Sequence, residues 1–308
     1  MLFRSDPVVG ETFFGRSTIL SLLQNRVGSF KRGFRQNVAL TGHRLAGKSS
    51  VLHQFIFQLD DPEIIALYME LVPEPFRDFA HRFIATLLYN FLRAQRVHAQ
   101  EDIGYLLTAC RQELPRTVGE IEKILHFIDG GDFDAAYARL LNLTSVIRQE
   151  TGKSCVVIFD EFHNLNGLDI KDPFNVFGKR IMVQKDTMYV VSSSQIDSLR
   201  HIIKERLALL FGNFQMLELS GFDHDEAFAF IRARLGNLQV RPAYVQFLSM
   251  LSDGYPFHLM SLLKRMKELA VIFDKKEADE QMLLDALQSV IFGSDGAINR
   301  YYLGTVGY

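Results

Sequence analysis

The residues best suited to chemistry lie in one short glycine-rich segment. Gly42, Gly47, Lys48 and Ser49 match the pattern G-x-x-x-x-G-K-[S/T] in full. Backbone N–H groups in such a loop converge on an anion, and glycines let a phosphate approach closely. The lysine would neutralise the β- and γ-phosphates of ATP, and the serine hydroxyl would ligate Mg²⁺. The pattern predicts a loop (the P-loop) that binds ATP or ADP through Gly42, His43, Arg44, Leu45, Ala46, Gly47, Lys48, Ser49 and Ser50.

The sequence around the P-loop has the context that the motif requires. A short apolar run at 37–41 predicts a buried strand before the loop, and apolar residues at helical spacing over 51–59 predict a helix after it. A helix that starts at the loop directs its positive end at a bound phosphate. The alternative, a glycine turn with a surface lysine, explains neither flanking element.

An acidic pair follows an almost unbroken apolar run. Residues 154–159 predict a central strand, and Asp160 and Glu161 come directly after it. Carboxylates at the C-terminal end of a buried strand lie where open α/β sheets bind ligands. We expect Asp160 to hold Mg²⁺ through its water shell, and Glu161 to orient or deprotonate the attacking water. Helix N-capping by the same pair is the structural alternative.

Three serines end the next predicted strand. A polar side chain at the position of Ser192, Ser193 or Ser194 can contact the γ-phosphate or the attacking water. We place Ser193 and Ser194 in the catalytic set with Lys48 and Glu161. A serine-rich turn without a ligand role is the alternative, and spacing does not decide which serine acts.

These residues must be positioned by a sheet. Five apolar runs are its candidate strands, and segments with helical apolar spacing separate them. This alternation is typical of an α/β fold, in which helices cover both faces of a parallel sheet. A helical insert occupies about 76–150, and one helix is expected over 199–210. We place the ATPase domain at 1–220, with strands at 37–41, 64–71, 154–159, 188–192 and 214–219.

No strand pattern appears after Gly221. Apolar spacing instead predicts four helices, which we group into a small all-α domain at 221–292, followed by a C-terminal tail at 293–308. The four helices are expected at 225–235, 242–251, 256–271 and 278–290.

The composition excludes several classes of protein. Hydrophobic residues make up 48% and charged residues 23%, which is ordinary globular usage. No apolar stretch reaches the roughly eighteen residues of a membrane span, so we expect no membrane partner. Cys110 and Cys155 have no partner cysteines at metal-ligand spacing, and the N-terminus lacks a secretory pattern. We expect a reduced, cytoplasmic protein. The 26 Phe are interpreted as core residues rather than a cofactor site.

A net charge of −2 gives no overall attraction to nucleic acid. Five basic residues nevertheless cluster with no acidic residue between them. Two interpretations stay open: a solvated face near an anionic ligand, and a track for DNA phosphates. The residues are Arg26, Lys31, Arg32, Arg35 and Arg44.

Four motifs over roughly residues 12–270 resemble those of AAA+ and STAND-type signalling and initiator ATPases. The resemblance is closest to the prokaryotic "archaeal ATPase" group, which is related to origin-recognition proteins. The run 13–16 resembles the F-x-G-R entry motif beside the adenine, which implies Gly15 and Arg16 as nucleotide contacts. Segments 42–49 and 159–161 match the Walker A and Walker B motifs. The run 254–256 resembles the G-x-P motif of a helical lid, whose proline, here Pro256, approaches the nucleotide.

The resemblance also implies a fold, a P-loop NTPase sheet of order 5-1-4-3-2 followed by the all-α lid, with a first sensor at the three serines. The chain departs from the family at Asn213, where members often carry an arginine finger after Leu-(Tyr/Phe)-Gly. Arg200 and Arg206 are the nearest substitutes, although solvated helix positions are the simpler interpretation. Members commonly continue into a winged-helix domain, and no pattern for one is found before Tyr308.

We therefore expect a molecular switch that binds ATP, hydrolyses it slowly and couples nucleotide state to a partner protein or DNA. A DNA-acting initiator or transposition-type loader is the main alternative, because 160–165 resembles such proteins; salt-dependent DNA binding would favour it. A metabolic kinase would need a pocket for the acceptor substrate, whereas 221–292 is interpreted as a bundle of lid helices. A structural protein with an inactive P-loop is disfavoured by the intact motifs. Self-association is left open.

The P-loop predicts stabilisation by nucleotide. At about a hundred times its dissociation constant, ATP should stabilise the fold by roughly 2.7 kcal/mol, which is about 5–10 °C in melting temperature. Lys48→Ala should remove most of this shift in a thermal unfolding assay. A full shift in that variant would exclude the P-loop as the binding site.

Overall fold

The computed structural model describes residues 6–97, 99–293 and 296–299. Contacts divide the chain into two compact units, which are described separately. One comprises the described parts of Met1–Arg16, His43–Ser50 and Leu219–Tyr308; the other comprises Ser17–Gly42 and Val51–Glu218. Most of the expected tail at 293–308 lies outside the described residues.

The larger unit contains a parallel sheet whose described strands run in the order β2-β3-β4-β1-β5. Read from the other edge, this is the order 5-1-4-3-2, so the predicted fold class is confirmed. β1 and β4 are buried along their whole length, which explains their apolar sequences. The strands are β1 (Asn37–Thr41), β2 (Ile64–Glu70), β3 (Ser154–Asp160), β4 (Thr187–Ser193) and β5 (Phe214–Glu218).

Helices surround this sheet, and the predicted helical insert forms four of them between β2 and β3. α2 starts within the P-loop and continues into the larger unit. The helices up to β5 are α1 (Ser17–Lys31), α2 (Lys48–Gln58), α3 (Phe76–Ala94), α4 (Ile103–Cys110), α5 (Pro115–Asp129), α6 (Phe133–Thr151), α7 (Pro173–Val183) and α8 (Ile196–His201).

Aromatic residues fill the core of the larger unit next to the acidic pair. The ring of Phe159, the last residue before Asp160, is fully buried. Its centroid lies 6.0–6.4 Å from those of five other aromatic rings, a spacing that favours attraction between them. These phenylalanines are thus used for packing, whereas others, such as Phe34 and Phe57, are exposed. The five rings belong to Phe79, Phe83, Phe162, Phe177 and Tyr189.

The expectation of one regular helix over 199–210 is wrong. α8 ends at His201, a π-helical turn follows at Ile202–Arg206, and a 3₁₀ segment spans Ala208–Asn213. The wide turn is closed by the Leu207 N–H, which donates to the Ile202 carbonyl at 2.9 Å. Because apolar spacing over one turn is nearly the same in an α-helix and a π-helix, periodicity alone does not distinguish them.

The smaller unit contains the four helices predicted after Gly221. Their shared apolar core includes Leu248, Leu259 and Leu263, each at most 1% exposed. The domain boundary at 220/221 stays a prediction, since contacts group the P-loop residues 43–50 with these helices. The helices are α9 (His224–Leu235), α10 (Pro242–Leu251), α11 (Pro256–Ile272) and α12 (Glu280–Leu287).

Within the described residues, no helix combines the length and the apolar character needed to cross a membrane.

Gly254, just before α11, is required by its surroundings as well as by its backbone. Its φ is +66°, and a Cβ there would lie 2.1 Å from the Phe222 carbonyl oxygen. Gly152, which ends α6, has a φ of +74° but open space around a Cβ. Gly254→Ala should therefore lower the free energy of unfolding by about 2–5 kcal/mol, and Gly152→Ala by about 1–2 kcal/mol. Denaturant unfolding tests this; equal losses would contradict the packing at Gly254.

Candidate functional site

The P-loop has a backbone that few side chains tolerate. Leu45 and Gly47 have φ values of +67° and +94°, and a Cβ on Gly47 would meet nothing within 4 Å. A non-glycine residue such as Leu45 in the left-handed region is a local strain that functional loops often retain. The Ala46 N–H donates to the His43 carbonyl at 3.3 Å and closes the turn.

The P-loop lysine is held within its own loop. Lys48 is 5% exposed, and its ammonium group donates to the His43 carbonyl at 3.1 Å. Ser49 follows it in the first turn of α2, and the Ser50 hydroxyl accepts from the Val8 N–H at 3.1 Å. The loop thus keeps a cation and the N-terminal end of a helix together, as a phosphate site requires.

The entry and lid motifs lie in the same unit as the P-loop. Arg16 is 9% exposed and donates to three backbone carbonyls, those of Ala46, Ser220 and Gly221. Its neighbour Gly15 has a φ of +67°. Pro256 is the first residue of α11, a position that suits proline because the N–H it lacks has no helical partner there.

Asp160 is surrounded by hydrogen-bond donors at the end of β3. Its carboxylate is 1% exposed. Oδ2 accepts from the Tyr68 hydroxyl at 2.8 Å, and Oδ1 accepts from the Ser192 hydroxyl and from the Glu161 N–H at 2.9 Å. Burying a carboxylate is costly unless donors replace water, and these three contacts do so.

Glu161 is held in an unusual backbone conformation. Its φ and ψ are +52° and +47°, and Oε2 accepts from the Ser194 N–H at 2.9 Å and the Ser194 hydroxyl at 2.8 Å. The residue occupies the N-cap of the short 3₁₀ segment at Phe162–Gly167, but its side chain makes no capping bond. The carboxylate thus contacts the residue that follows β4, and the backbone of Glu161 is strained. Functional sites often retain such strain.

A histidine lies beside this carboxylate. His163 Nδ1 is 2.8 Å from the Ser193 hydroxyl and 3.4 Å from Glu161 Oε2. Which ring nitrogen carries the proton depends on the tautomer. The Ser193 hydroxyl also accepts from the Gln195 N–H at 3.0 Å. All three serines at the end of β4 thus have protein partners, and Ser192 and Ser194 bind the two carboxylates directly.

Sequence reasoning missed Tyr68, His53 and His163. Tyr68 lies on β2 beside β3, and the His53 ring of α2 packs on it with a centroid distance of 4.1 Å. Burial lowers the pKa of His53, and the Asp160 carboxylate partly opposes this shift. A tyrosine among the apolar residues of a predicted strand was a weak signal, because its contact with Asp160 depends on the pairing of β2 with β3.

Four members of the basic cluster contact other residues of the same chain. Lys31 contacts Asp61 and Glu63 at 2.7 Å each, and Arg26 donates to Gln215 at 2.7 Å. Arg35 is half-buried and donates to backbone carbonyls, including that of Ile181 at 2.9 Å. Arg32 donates to Ser29, while Arg44 belongs to the other unit. Lys31 and Arg32 remain exposed to solvent despite these contacts.

Arg200 and Arg206, the substitutes for an arginine finger, both form ion pairs. Arg200 pairs with Glu218 at 2.9 Å, and Arg206 pairs with Asp172 at 2.7 Å. The Arg206 guanidinium lowers the pKa of Asp172 through this hydrogen bond. Both arginines therefore have a structural use in the chain.

Comparison with protein families gives the class of the protein. Residues 12–171, slightly more than half of the chain, match the family model "AAA ATPase domain". The chain belongs to this family, and it is a nucleotide-driven AAA+ ATPase. A comparison with curated proteins finds no match.

Solved structures of other ATPases share this fold. A Walker-type ATPase of Pyrococcus abyssi is 17% identical, with a TM-score of 0.59 over 96% of this chain and 78% of that one. The ORC2 protein of Aeropyrum pernix, in ADPNP–ADP complexes, is 12% identical, with a TM-score of 0.59 over 92% and 70%. Drosophila ORC bound to DNA is 13% identical, with a TM-score of 0.55 over 93% and 63%. The expected resemblance is confirmed for the AAA ATPase family, and the likeness to the Walker-type ATPase and to the ORC proteins is a likeness of fold.

The hydroxyl of Tyr68 should contribute measurably to stability. Tyr68→Phe removes a charge-assisted hydrogen bond to a buried carboxylate, and should lower the free energy of unfolding by about 1.5–3 kcal/mol. Tyr105→Phe, at a 39% exposed tyrosine of α4, should change it by less than about 0.5 kcal/mol. Urea unfolding of both variants measures this, and equal effects would remove Tyr68 from the support of Asp160.

Proposed function

We propose that this AAA+ ATPase is a magnesium-dependent switch whose hydrolytic centre is the Asp160–Glu161 pair. The observation that carries the proposal is the carboxylate of Asp160, kept buried by Tyr68, Ser192 and a backbone N–H. A buried, hydrogen-bonded carboxylate at the C-terminal end of a central strand supports a functional role, which we propose is to hold the metal of a bound nucleotide.

The P-loop would bind the phosphates. Backbone N–H groups around Gly47 and at the start of α2 would donate to phosphate oxygens, and the Lys48 ammonium would neutralise the β- and γ-phosphates. The remaining loop residues, from Gly42 to Ser50, would line the phosphates, as the sequence predicts. Gly15, Arg16 and Pro256 are proposed to support the same nucleotide from the entry and lid motifs.

The residues fit magnesium. Mg²⁺ prefers oxygen ligands and keeps several waters, and Ser49 and Asp160 offer a hydroxyl and a carboxylate. Among residues 6–97, 99–293 and 296–299, no group of three or more His, Cys, Asp or Glu side chains could hold a metal ion. The proposed direct ligands are the Ser49 hydroxyl, nucleotide oxygens and water, and Asp160 is proposed to hold this water shell. Bound metal would neutralise charge that develops on the phosphates.

Glu161 is proposed to act on the attacking water. Ser194 fixes one oxygen of its carboxylate through two hydrogen bonds, at 2.9 and 2.8 Å, which defines the direction of the group. A positioned carboxylate can orient a water and accept its proton. Ser193, next to His163, is proposed to sense the γ-phosphate with Ser194.

Slow turnover is proposed because the position at which family members often carry an arginine finger holds Asn213. Asn213 replaces the family arginine, and Arg200 and Arg206 are engaged in ion pairs. An arginine finger contributes strongly to phosphoryl transfer, so its absence leaves a slow reaction. A slow ATPase suits a STAND-like switch, whose bound nucleotide controls a lid.

The partner is proposed to be a protein, reached through the helical insert or the lid, in a cytoplasmic setting. A DNA-acting initiator is the second candidate. It is favoured by the likeness to Drosophila ORC, which was solved bound to DNA. Self-association is compatible with both candidates.

Two neighbouring substitutions test the proposed roles. Asp160→Asn should weaken Mg²⁺–ATP binding and hydrolysis together, because it removes the negative charge that holds the metal through its water shell. Glu161→Gln keeps size and hydrogen bonding but does not accept a proton; kcat should fall by about 10²–10⁴, and ATP affinity by less than about a few-fold.

Nucleotide titration and single-turnover hydrolysis measure both variants. Glu122→Gln, at a surface carboxylate paired with Arg111, serves as the control and should behave like the wild type. Hydrolysis by Glu161→Gln at the wild-type rate would show that the pair is structural.

A further inference from the structure

Arg16 makes contacts that the role of an adenine ligand does not explain. It is 9% exposed and its φ is +62°, in the left-handed region. One terminal nitrogen, Nη2, donates to the Ser220 carbonyl at 2.7 Å and to the Ala46 carbonyl at 3.3 Å. The other, Nη1, donates to the Gly221 carbonyl at 3.3 Å. The guanidinium thus joins the P-loop to the segment that leads into α9.

The surroundings hold Arg16 rigidly. Its guanidinium lies 4.4 Å from the centre of the Phe222 ring, and its backbone N–H donates to Glu226 Oε1 at 3.0 Å. Burial lowers the pKa of Arg16, and the carboxylates of Glu226 and Asp223 oppose this shift. A planar, charged group with several donors and an aromatic surface beneath it has little freedom to turn.

The contact with Ala46 determines how the next N–H points. The peptide between Ala46 and Gly47 is planar and trans, so its C=O and N–H point in opposite directions. When Arg16 binds the Ala46 oxygen, it directs the Gly47 N–H to the opposite side. N–H groups of this part of the loop are the donors that a phosphate requires.

The contacts with Ser220 and Gly221 reach the lid helices. The Phe222 N–H, one residue further, donates to the Gly254 carbonyl at 2.8 Å. Gly254 lies two residues before Pro256, where α11 begins. A short chain of hydrogen bonds therefore runs from the P-loop through Arg16 to the starts of α9 and α11.

We propose that Arg16 is a positioning residue: it orients the Gly47 N–H for phosphate and couples the P-loop to the lid segments 220–222 and 254–256. The proposal rests on nucleotide binding at the P-loop. It differs from adenine recognition, because the interaction that Arg16 supports is with the phosphates. The nucleotide base plays no part in it.

Arg16→Lys tests the first half of the proposal, with inorganic tripolyphosphate as a probe that has no base. Lysine keeps the charge but loses the planar set of donors. Affinities for Mg²⁺–ATP and for tripolyphosphate should both fall, by the same factor of about ten or more. The preference for ATP over GTP should stay as in the wild type. A loss for ATP alone, with tripolyphosphate binding intact, would overturn the proposal in favour of adenine recognition.

Arg234→Ala is the matched control. Arg234 lies in the same unit, stacks on Phe230 at 5.4 Å and donates to the Thr12 carbonyl of the entry segment, and neither contact involves the P-loop. It should lower thermal stability while leaving both affinities within about twofold. Equal losses of affinity in both variants would show that Arg16 acts only through the stability of the unit.

Hydrogen–deuterium exchange tests the coupling. Saturating Mg²⁺–ATP should protect residues 220–222 and 254–256 in the wild type and in Arg234→Ala, and this protection should be lost in Arg16→Lys. Protection that persists in Arg16→Lys would overturn the coupling. If Arg16→Lys does not fold, Phe222→Leu removes the ring beneath the guanidinium and should weaken ATP and tripolyphosphate equally.

Failure of the proposed function gives a different result. In that case the wild type itself would bind neither ATP nor tripolyphosphate, and Lys48→Ala would show the same lack of binding.

Discussion

A carboxylate buried at the end of a central strand is the constraint on which the larger unit depends. Asp160 is 1% exposed, and removing such a group from water costs several kcal/mol unless donors surround it. Tyr68 supplies one donor from β2 and Ser192 another from β4. Both contacts require β3 to lie between these two strands, which is the observed order. The aromatic rings around Phe159 hold the end of β3 in place from within the core.

Strong local patterns made much of the fold predictable from the sequence. The strand at Asn37–Thr41 and the helix at Pro242–Leu251 have the predicted bounds, because apolar spacing and flanking turn residues mark them. The motifs indicated the family, and the resemblance to the family predicted the strand order. Contacts between residues that are distant in sequence were not predictable in this way. Tyr68 contacts Asp160 only because β2 pairs with β3. Lys31 contacts Asp61, which lies 30 residues further along the chain.

The two units divide the chemistry of the proposed reaction. The smaller unit contains P-loop residues 43–50 together with the entry and lid motifs, and Arg16 connects the Ala46 carbonyl of the loop to the Ser220 carbonyl before α9. The larger unit contains both carboxylates and the serines that bind them. A switch of the proposed kind requires that the nucleotide state change the contacts of the lid, so that a partner can detect the change.

A crystal structure with Mg²⁺ and a non-hydrolysable ATP analogue tests this account most directly. The account predicts phosphates on the N–H groups of Gly47 and the start of α2. It also predicts Mg²⁺ on the Ser49 hydroxyl, with Asp160 binding its water shell and keeping the bonds from Tyr68 and Ser192. It further predicts that the Ala46 oxygen remains bound to Arg16. Nucleotide bound away from the P-loop, or Mg²⁺ held without Ser49 and Asp160, would contradict the central claim.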